Sequence, residues 1–271
     1  MEIVSTIRVF DGDLIKYRFF SKSLQCDTQF NVFLPKESTS TLLFLSGLTC
    51  TENNFMEKSG AIEVASRLKM AIVAPDTSPR SVKCKDDTLN WDFGEGAGYY
   101  VDATTLDYKM HYNMYSFVFE LIDLFDSLSL KKPIHLSGHS VGGMGALQIG
   151  LKNPDMFTSV SAFAPVSNPM NSPWGQKAFT LFLGNNQDNW EQYDPCHLLK
   201  NYKHSKRLNI LVDQGSKDQF LGIQFHSDSL VNSAEHSNVD LTYNLKQDYD
   251  HSYYFISTFI EDHLVFHSKF K

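Results

Sequence analysis

The sequence predicts one α/β domain: a mostly parallel central sheet, helices on both faces, and antiparallel strands at the N-terminus. Three observations carry that expectation. Short continuous apolar runs alternate with stretches of helical period over most of the chain. The first third reads instead as consecutive strands. Residues 133–150, PIHLSGHSVGGMGALQIG, read as strand, tight glycine-flanked turn and helix.

In chain order, EIVSTIRVF (2–10), DLIKYRFF (13–20) and TQFNVFLP (28–35) are rich in β-branched and aromatic residues. Asp11-Gly12 is a hairpin signal between the first two. TLLFLSG (41–47) and MAIVAP (70–75) are apolar runs of the kind buried on both faces of a sheet. Between them TENNFMEKSGAIEVASRL (51–68) has helical spacing, with Thr51 or Asn53 as its cap. MYSFVFELIDLFDSL predicts an amphipathic helix, KPIHLSG a strand, VGGMGALQIGLKN a helix and FTSVSAFAP a strand. RLNILVDQG, FLGIQFHSDSLVNSAE, VDLTYNL and SYYFISTFIEDHLVF continue the alternation. Such alternation requires right-handed crossovers and therefore a largely parallel sheet. Residues 165–205 break the rhythm, and an excursion that long after a strand is placed to roof a site. With no repeat, low-complexity tract or linker, residues 1–271 read as a single domain.

Bulk properties narrow the function classes. Hydrophobic content of 42% is ample for a buried core. A formal charge of −7 argues against nucleic acid as a partner, because phosphate binding needs clustered Lys and Arg. No apolar run approaches the roughly 18 residues of a membrane span, and the first residues lack a signal-peptide pattern. Cys26, Cys50, Cys84 and Cys196 show no C-x-x-C spacing, so reduced thiols and a cytoplasmic setting are expected.

Gly138-His139-Ser140-Val141-Gly142 fits G-x-S-x-G, a weak pattern alone that gains force from its strand–turn–helix context. A serine hydroxyl needs a neighbouring base to attack. In the α/β-hydrolase fold an acid and then a histidine follow on loops after later strands. Asp218 lies in the loop after LNILVDQG, and His251 lies after VDLTYNL, directly before the last helix. Asp213 is the rival acid but falls within its strand. His226 on a helix, and His263 and His267 near the C-terminus, are poorer bases. Charge developing on a substrate oxygen needs two N–H donors. Val141 is one and Leu48, in LLFLSGLTC, is the other.

Beyond this general pattern the chain resembles the S-formylglutathione hydrolase (esterase D) family. The stretches that carry the resemblance include LSGLTCTENNF, APDTSPR, WDFGEGAGYYVDAT, GHSVGGMGAL, PWGQKAF, DQGSKDQFL and YDHSYYFISTFIEDH, spread over about residues 44–263. The resemblance implies an α/β-hydrolase fold and a cytosolic, often dimeric thioesterase that needs no cofactor. It implies hydrolysis of S-formylglutathione to formate and glutathione, with Ser140, Asp218 and His251 as triad. Two departures stand out: Val141 where the family usually has Met, and Ser81 where Gly is common. The glutathione part is peptide-like and anionic, and Arg80, Lys109 and Lys177 are cations offered to its carboxylates. Trp174 is offered as a wall of the acyl pocket, each with an alternative role in packing or surface structure.

Other features are weighed against these. FGEGAGYY fails G-x-G-x-x-G, since Tyr99 stands where the third Gly belongs, and reads as a loop near the site. His263 and His267 are four apart on a helix, but Leu264 stands where a zincin has Glu, so no metal is expected. Cys50 lies two residues past the Leu48 donor, which raises inhibition by thiol reagents as an expectation. Rival functions are a general short-chain carboxylesterase or acyltransferase, and a non-catalytic binding protein on the same fold.

Overall fold

The computed structural model describes residues 1–85 and 90–270. Its sheet has nine strands: β1 (Glu2–Val9), β2 (Gly12–Ser21), β3 (Cys26–Pro35), β4 (Ser40–Leu45), β5 (Met70–Pro75), β6 (Ile134–His139), β7 (Phe157–Phe163), β8 (Leu208–Gly215) and β9 (Val239–Lys246). Their order is β1-β2-β3-β5-β4-β6-β7-β8-β9. The β1–β2, β2–β3 and β3–β5 pairs are antiparallel, and every later pair is parallel. The α/β-hydrolase fold with antiparallel N-terminal strands is thus what the chain forms. Every residue of β4, β5 and β6 is buried, so both faces of the central sheet are covered.

The helices are α1 (Glu52–Lys58), α2 (Ala61–Leu68), α3 (Met114–Ile122), α4 (Val141–Lys152), α5 (Pro173–Leu183), α6 (Pro195–Lys200), α7 (Ser227–Ala234) and α8 (Tyr253–Ser268). Helix α2 packs on α8, whereas α4 packs on α6 and α6 on α7. Capping follows side-chain chemistry. Thr51, Ser172, Asp194 and Ser252 each accept an N–H of their own first turn, at α1, α5, α6 and α8.

Five local expectations are corrected. The first hairpin turns on Phe10 and Asp11, with Phe10 at φ 50°, because Gly12 is already paired with Val9. The stretch 51–68 is two helices. Ser59 Oγ donates to the Phe55 carbonyl at 2.6 Å, and Gly60 at φ 71° turns the chain before α2 begins. Helix α3 stops at Ile122, where i→i+3 bonds such as Phe125 N to Ile122 O tighten the chain into turns. Residues 220–226 are not helical. Gly222 at φ 80° closes a turn against Phe225, leaving His226 as the residue that precedes α7. The 165–205 excursion, conversely, contains α5 and α6 rather than plain loop.

Candidate active site

Ser140 sits between β6 and α4 at φ 59°, ψ −120°, a conformation that costs a non-glycine residue about 1–3 kcal/mol. The surroundings hold it there. Its N–H donates to Phe163 O at 2.9 Å, and its carbonyl accepts from Met144 N at 3.0 Å and Val166 N at 3.2 Å. The two motif glycines permit the packing. A Cβ on Gly138 would lie 2.2 Å from Gly142 O, and one on Gly142 would lie 2.0 Å from Leu45 O. Helix α4 is therefore pressed against the ends of β4 and β6.

Asp218 and His251 meet although 33 residues separate them: His251 Nδ1 lies 2.7 Å from Asp218 Oδ2. The carboxylate is buried, and it also accepts from Gln214 Nε2 at 3.0 Å and Phe220 N at 2.9 Å. With Nδ1 engaged on Asp218, Nε2 is the ring nitrogen left to receive a proton. Three rings fix the imidazole plane. His139 lies 4.4 Å away at 33°, Phe225 4.9 Å away, and Phe220 stands edge-on at 5.2 Å. Burial and the nearby His251 hold His139 well below the usual histidine range, so it stays neutral beside the base. The corrected turn at 220–226 matters here, because it supplies two of those three rings.

Asp213 is occupied elsewhere. It takes Asn244 Nδ2 at 2.8 Å and Lys246 Nζ at 3.1 Å, with His263 Nε2 3.7 Å away. His263 stacks on Phe163 at 3.7 Å, and His267 spends both ring nitrogens on Ser159 and Ser161.

The Leu48 and Val141 N–H groups have no acceptor among the described residues. Their neighbours do: Thr49 N donates to Gly96 O at 2.8 Å, and Cys50 N to Gly47 O at 3.4 Å. The Leu48 loop is braced on several sides. Tyr100 Oη donates to Ser46 O at 2.8 Å, and Thr77 Oγ1 to Cys50 O at 2.6 Å. Arg80 also reaches Cys50 O at 3.0 Å while forking onto Asp76 at 2.6 and 2.8 Å. The FGEGAGYY segment therefore shapes the loop that carries Leu48.

A cavity of about 300 Å³ opens onto Ser140, His139 and His251, with Leu48, Cys50, Trp91, Trp174, Phe220 and Tyr253 among its walls. Trp174 packs edge-on to Trp91 at 5.4 Å and against Phe220 at 4.6 Å. Cys50 Sγ is 3.9 Å from Tyr253 Oη, and burial pushes its thiol up. Of the cations offered to substrate, Arg80 and Lys177 are ion-paired, Lys177 to Asp92 at 2.6 Å, and neither Lys177 nor the exposed Lys109 lines the cavity. Sequence reasoning missed Lys58, Trp91, Phe220 and Tyr253, which do line it. The signal for Lys58 was the Ser59-Gly60 break, which ends α1 there.

Residues 21–266 match the esterase family, described as "Putative esterase". The S-formylglutathione hydrolase of Bos taurus is 44% identical over 98% of this chain and 97% of its own length. That of Arabidopsis thaliana is 44% identical over 99% of this chain and 96% of its own. The chain belongs to the S-formylglutathione hydrolase family. A solved S-formylglutathione hydrolase from Agrobacterium tumefaciens superimposes with a TM-score of 0.94 at 37% identity, covering 99% of both chains. One cavity in this chain brings together Ser140, His251 and the Leu48 loop.

Proposed function

We propose that this chain hydrolyses S-formylglutathione to formate and glutathione through a formyl-serine intermediate on Ser140. The single observation that carries the residue assignment is the grouping at one cavity: a strained serine, a carboxylate-held histidine and two unspent N–H groups. The formyl oxygen lies between the Leu48 and Val141 N–H groups. Ser140 Oγ attacks the formyl carbon as its proton passes to His251 Nε2, while Asp218 stabilises the imidazolium. Collapse of the tetrahedral species breaks the C–S bond, and His251 returns the proton to the departing thiolate. With a pKa near 8.5 that thiol leaves far more readily than an alcohol. Water then attacks the formyl-serine, gives its proton to His251, and releases formate as Ser140 is reprotonated.

No cofactor enters this sequence. Leu48, Trp174 and Phe220 crowd the cavity, which favours a formyl group over larger acyl groups by steric exclusion. The test compares kcat/KM for S-formylglutathione, S-acetylglutathione and a short-chain aryl ester. A strong formyl-thioester preference is expected, and equal turnover of all three would make the protein a general esterase. Activity surviving in Ser140→Ala would overturn the mechanism.

Two finer assignments belong to this reading. The cytoplasm suits Cys26, Cys50 and Cys196, which form no disulfide, and no helix among the described residues is long and apolar enough to cross a membrane. A homodimer through β1 suits a strand paired on one side only, with Ile3, Val4, Ile7 and Phe10 exposed.

A further inference from the structure

The protein carries a net charge of −7, yet its proposed substrate is an anion bearing two carboxylates and one ammonium. Some local positive potential has to counter that repulsion. Among the described residues lining the cavity, Lys58 is the one lysine or arginine, and no aspartate or glutamate joins it. Lys58 ends α1, is exposed, and has no carboxylate within ion-pair reach among the described residues. Its Nζ stands 5.9 Å from the centre of the Tyr253 ring. Three other cations are committed elsewhere: Lys16 to Glu52, Arg80 to Asp76, and Lys177 to Asp92.

A second donor lies one turn earlier on the same helix. Asn54 also lines the cavity, at the i,i+4 position that shares a face with Lys58. Its Oδ1 accepts from Thr51 N and Thr51 Oγ1, which orients the side chain and fixes which end is carbonyl. Its Nδ2 has no acceptor among the described residues. A fixed amide donor beside an unpaired ammonium is the chemistry that receives a carboxylate.

We propose that Asn54 and Lys58 form the subsite for a carboxylate of the glutathione moiety, and that this pair makes the enzyme prefer anionic thioesters over neutral esters. The inference rests on the function proposed above. Because the carboxylate is remote from the reacting carbon, its contact is the same in ground and transition states, and its loss raises KM with little change in kcat.

The experiment measures kcat and KM for S-formylglutathione, for its carboxyl diethyl ester, and for a neutral aryl ester. The proteins are wild type, Lys58→Gln, Lys58→Glu, Lys58→Arg and Asn54→Asp, with Lys109→Gln as control. Asn54→Asp keeps the acceptor for Thr51 but sets a carboxylate against the substrate. In Lys58→Gln the preference for S-formylglutathione over the aryl ester falls about five- to tenfold, through KM. The fall is larger in Lys58→Glu and Asn54→Asp, and Lys58→Arg restores most of the preference. The diethyl ester loses its sensitivity to Lys58, and added salt narrows the wild-type preference. An unchanged preference in Lys58→Glu, or an equal loss on all three substrates, overturns the subsite while leaving the enzyme's function intact. Wild type that fails to turn over S-formylglutathione takes down both readings.

Discussion

Ser140 keeps a left-handed backbone because its N–H and carbonyl are both committed to neighbouring chain. At its side His139 contributes a neutral, buried ring packed on the proposed base. Removing that ring in His139→Ala leaves His251 a void to tilt into. An angstrom of tilt in a general base costs on the order of 10- to 100-fold in rate, so kcat should fall by that much with KM little changed, as steady-state kinetics with an aryl ester will show. Cys50 yields a prediction of opposite character. Burial raises its thiol, so little thiolate exists near neutrality. Loss of activity to iodoacetamide should be slow at pH 7, accelerate as pH rises past 9, and disappear in Cys50→Ser. The residues of the proposed triad were legible because their order along the chain and their places after strands are properties of the sequence itself. The Lys177 ion pair was not legible for an equally physical reason: its partner Asp92 lies 85 residues away, and no spacing announces a tertiary ion pair.

At the scale of elements, the sheet order brings the Leu48 loop of β4 beside the Ser140 turn of β6. Gly142→Ala tests that closeness. The added methyl would meet Leu45 O at 2.0 Å and force β4 and α4 apart. Overpacking of this kind costs about 1–3 kcal/mol in stability. Losing the Leu48 donor costs about 100- to 1000-fold in rate. Gly60→Ala is the contrast, since nothing lies within 4 Å of its Cβ and the strain is in φ alone. It should lose about 1–2 kcal/mol in denaturant unfolding. Strand and helix positions were legible from period and apolar content. The α1–α2 break and the 220–226 turn were not, because Gly60 and Gly222 stood inside patterns whose spacing still read as helix. Those two breaks place Lys58 and Phe220 at the cavity and Phe225 against the His251 ring.

The whole molecule carries a buried polar layer that sets its tolerance of acid. His135 and His267 share Ser159, and His267 also reaches Ser161. Burial pushes His135 down to about 4, and with its surroundings keeps His139, His263 and His267 below the ordinary range. The unfolded chain protonates such rings near pH 6.5. Between about 6.5 and about 4 the unfolded state therefore binds more protons. Stability is full above that window and is lost as pH falls through it. His135 alone accounts for about 3 kcal/mol. Tm should drop from pH 7 to 4.5, with a shallower slope in His135→Asn; a flat profile in wild type would refute the account. Light scattering tests the assembly, with a dimer expected for wild type and a monomer for Ile7→Lys. The β1 face was read only as a strand, because exposure on an edge is decided by which strands pair, not by the strand's own residues.

The order of strands also ranks the site by its resistance to fraying. Ser140 and Leu48 follow central strands, whereas His251 follows β9, which has one neighbour and a half-exposed face. Margins of a sheet open at lower free energy than its centre. Under mild denaturant the base would be lost while the elbow still stands, so catalysis melts ahead of structure. The midpoint for activity should fall below the midpoint for circular dichroism, and the gap between them measures how loosely the last strand is held.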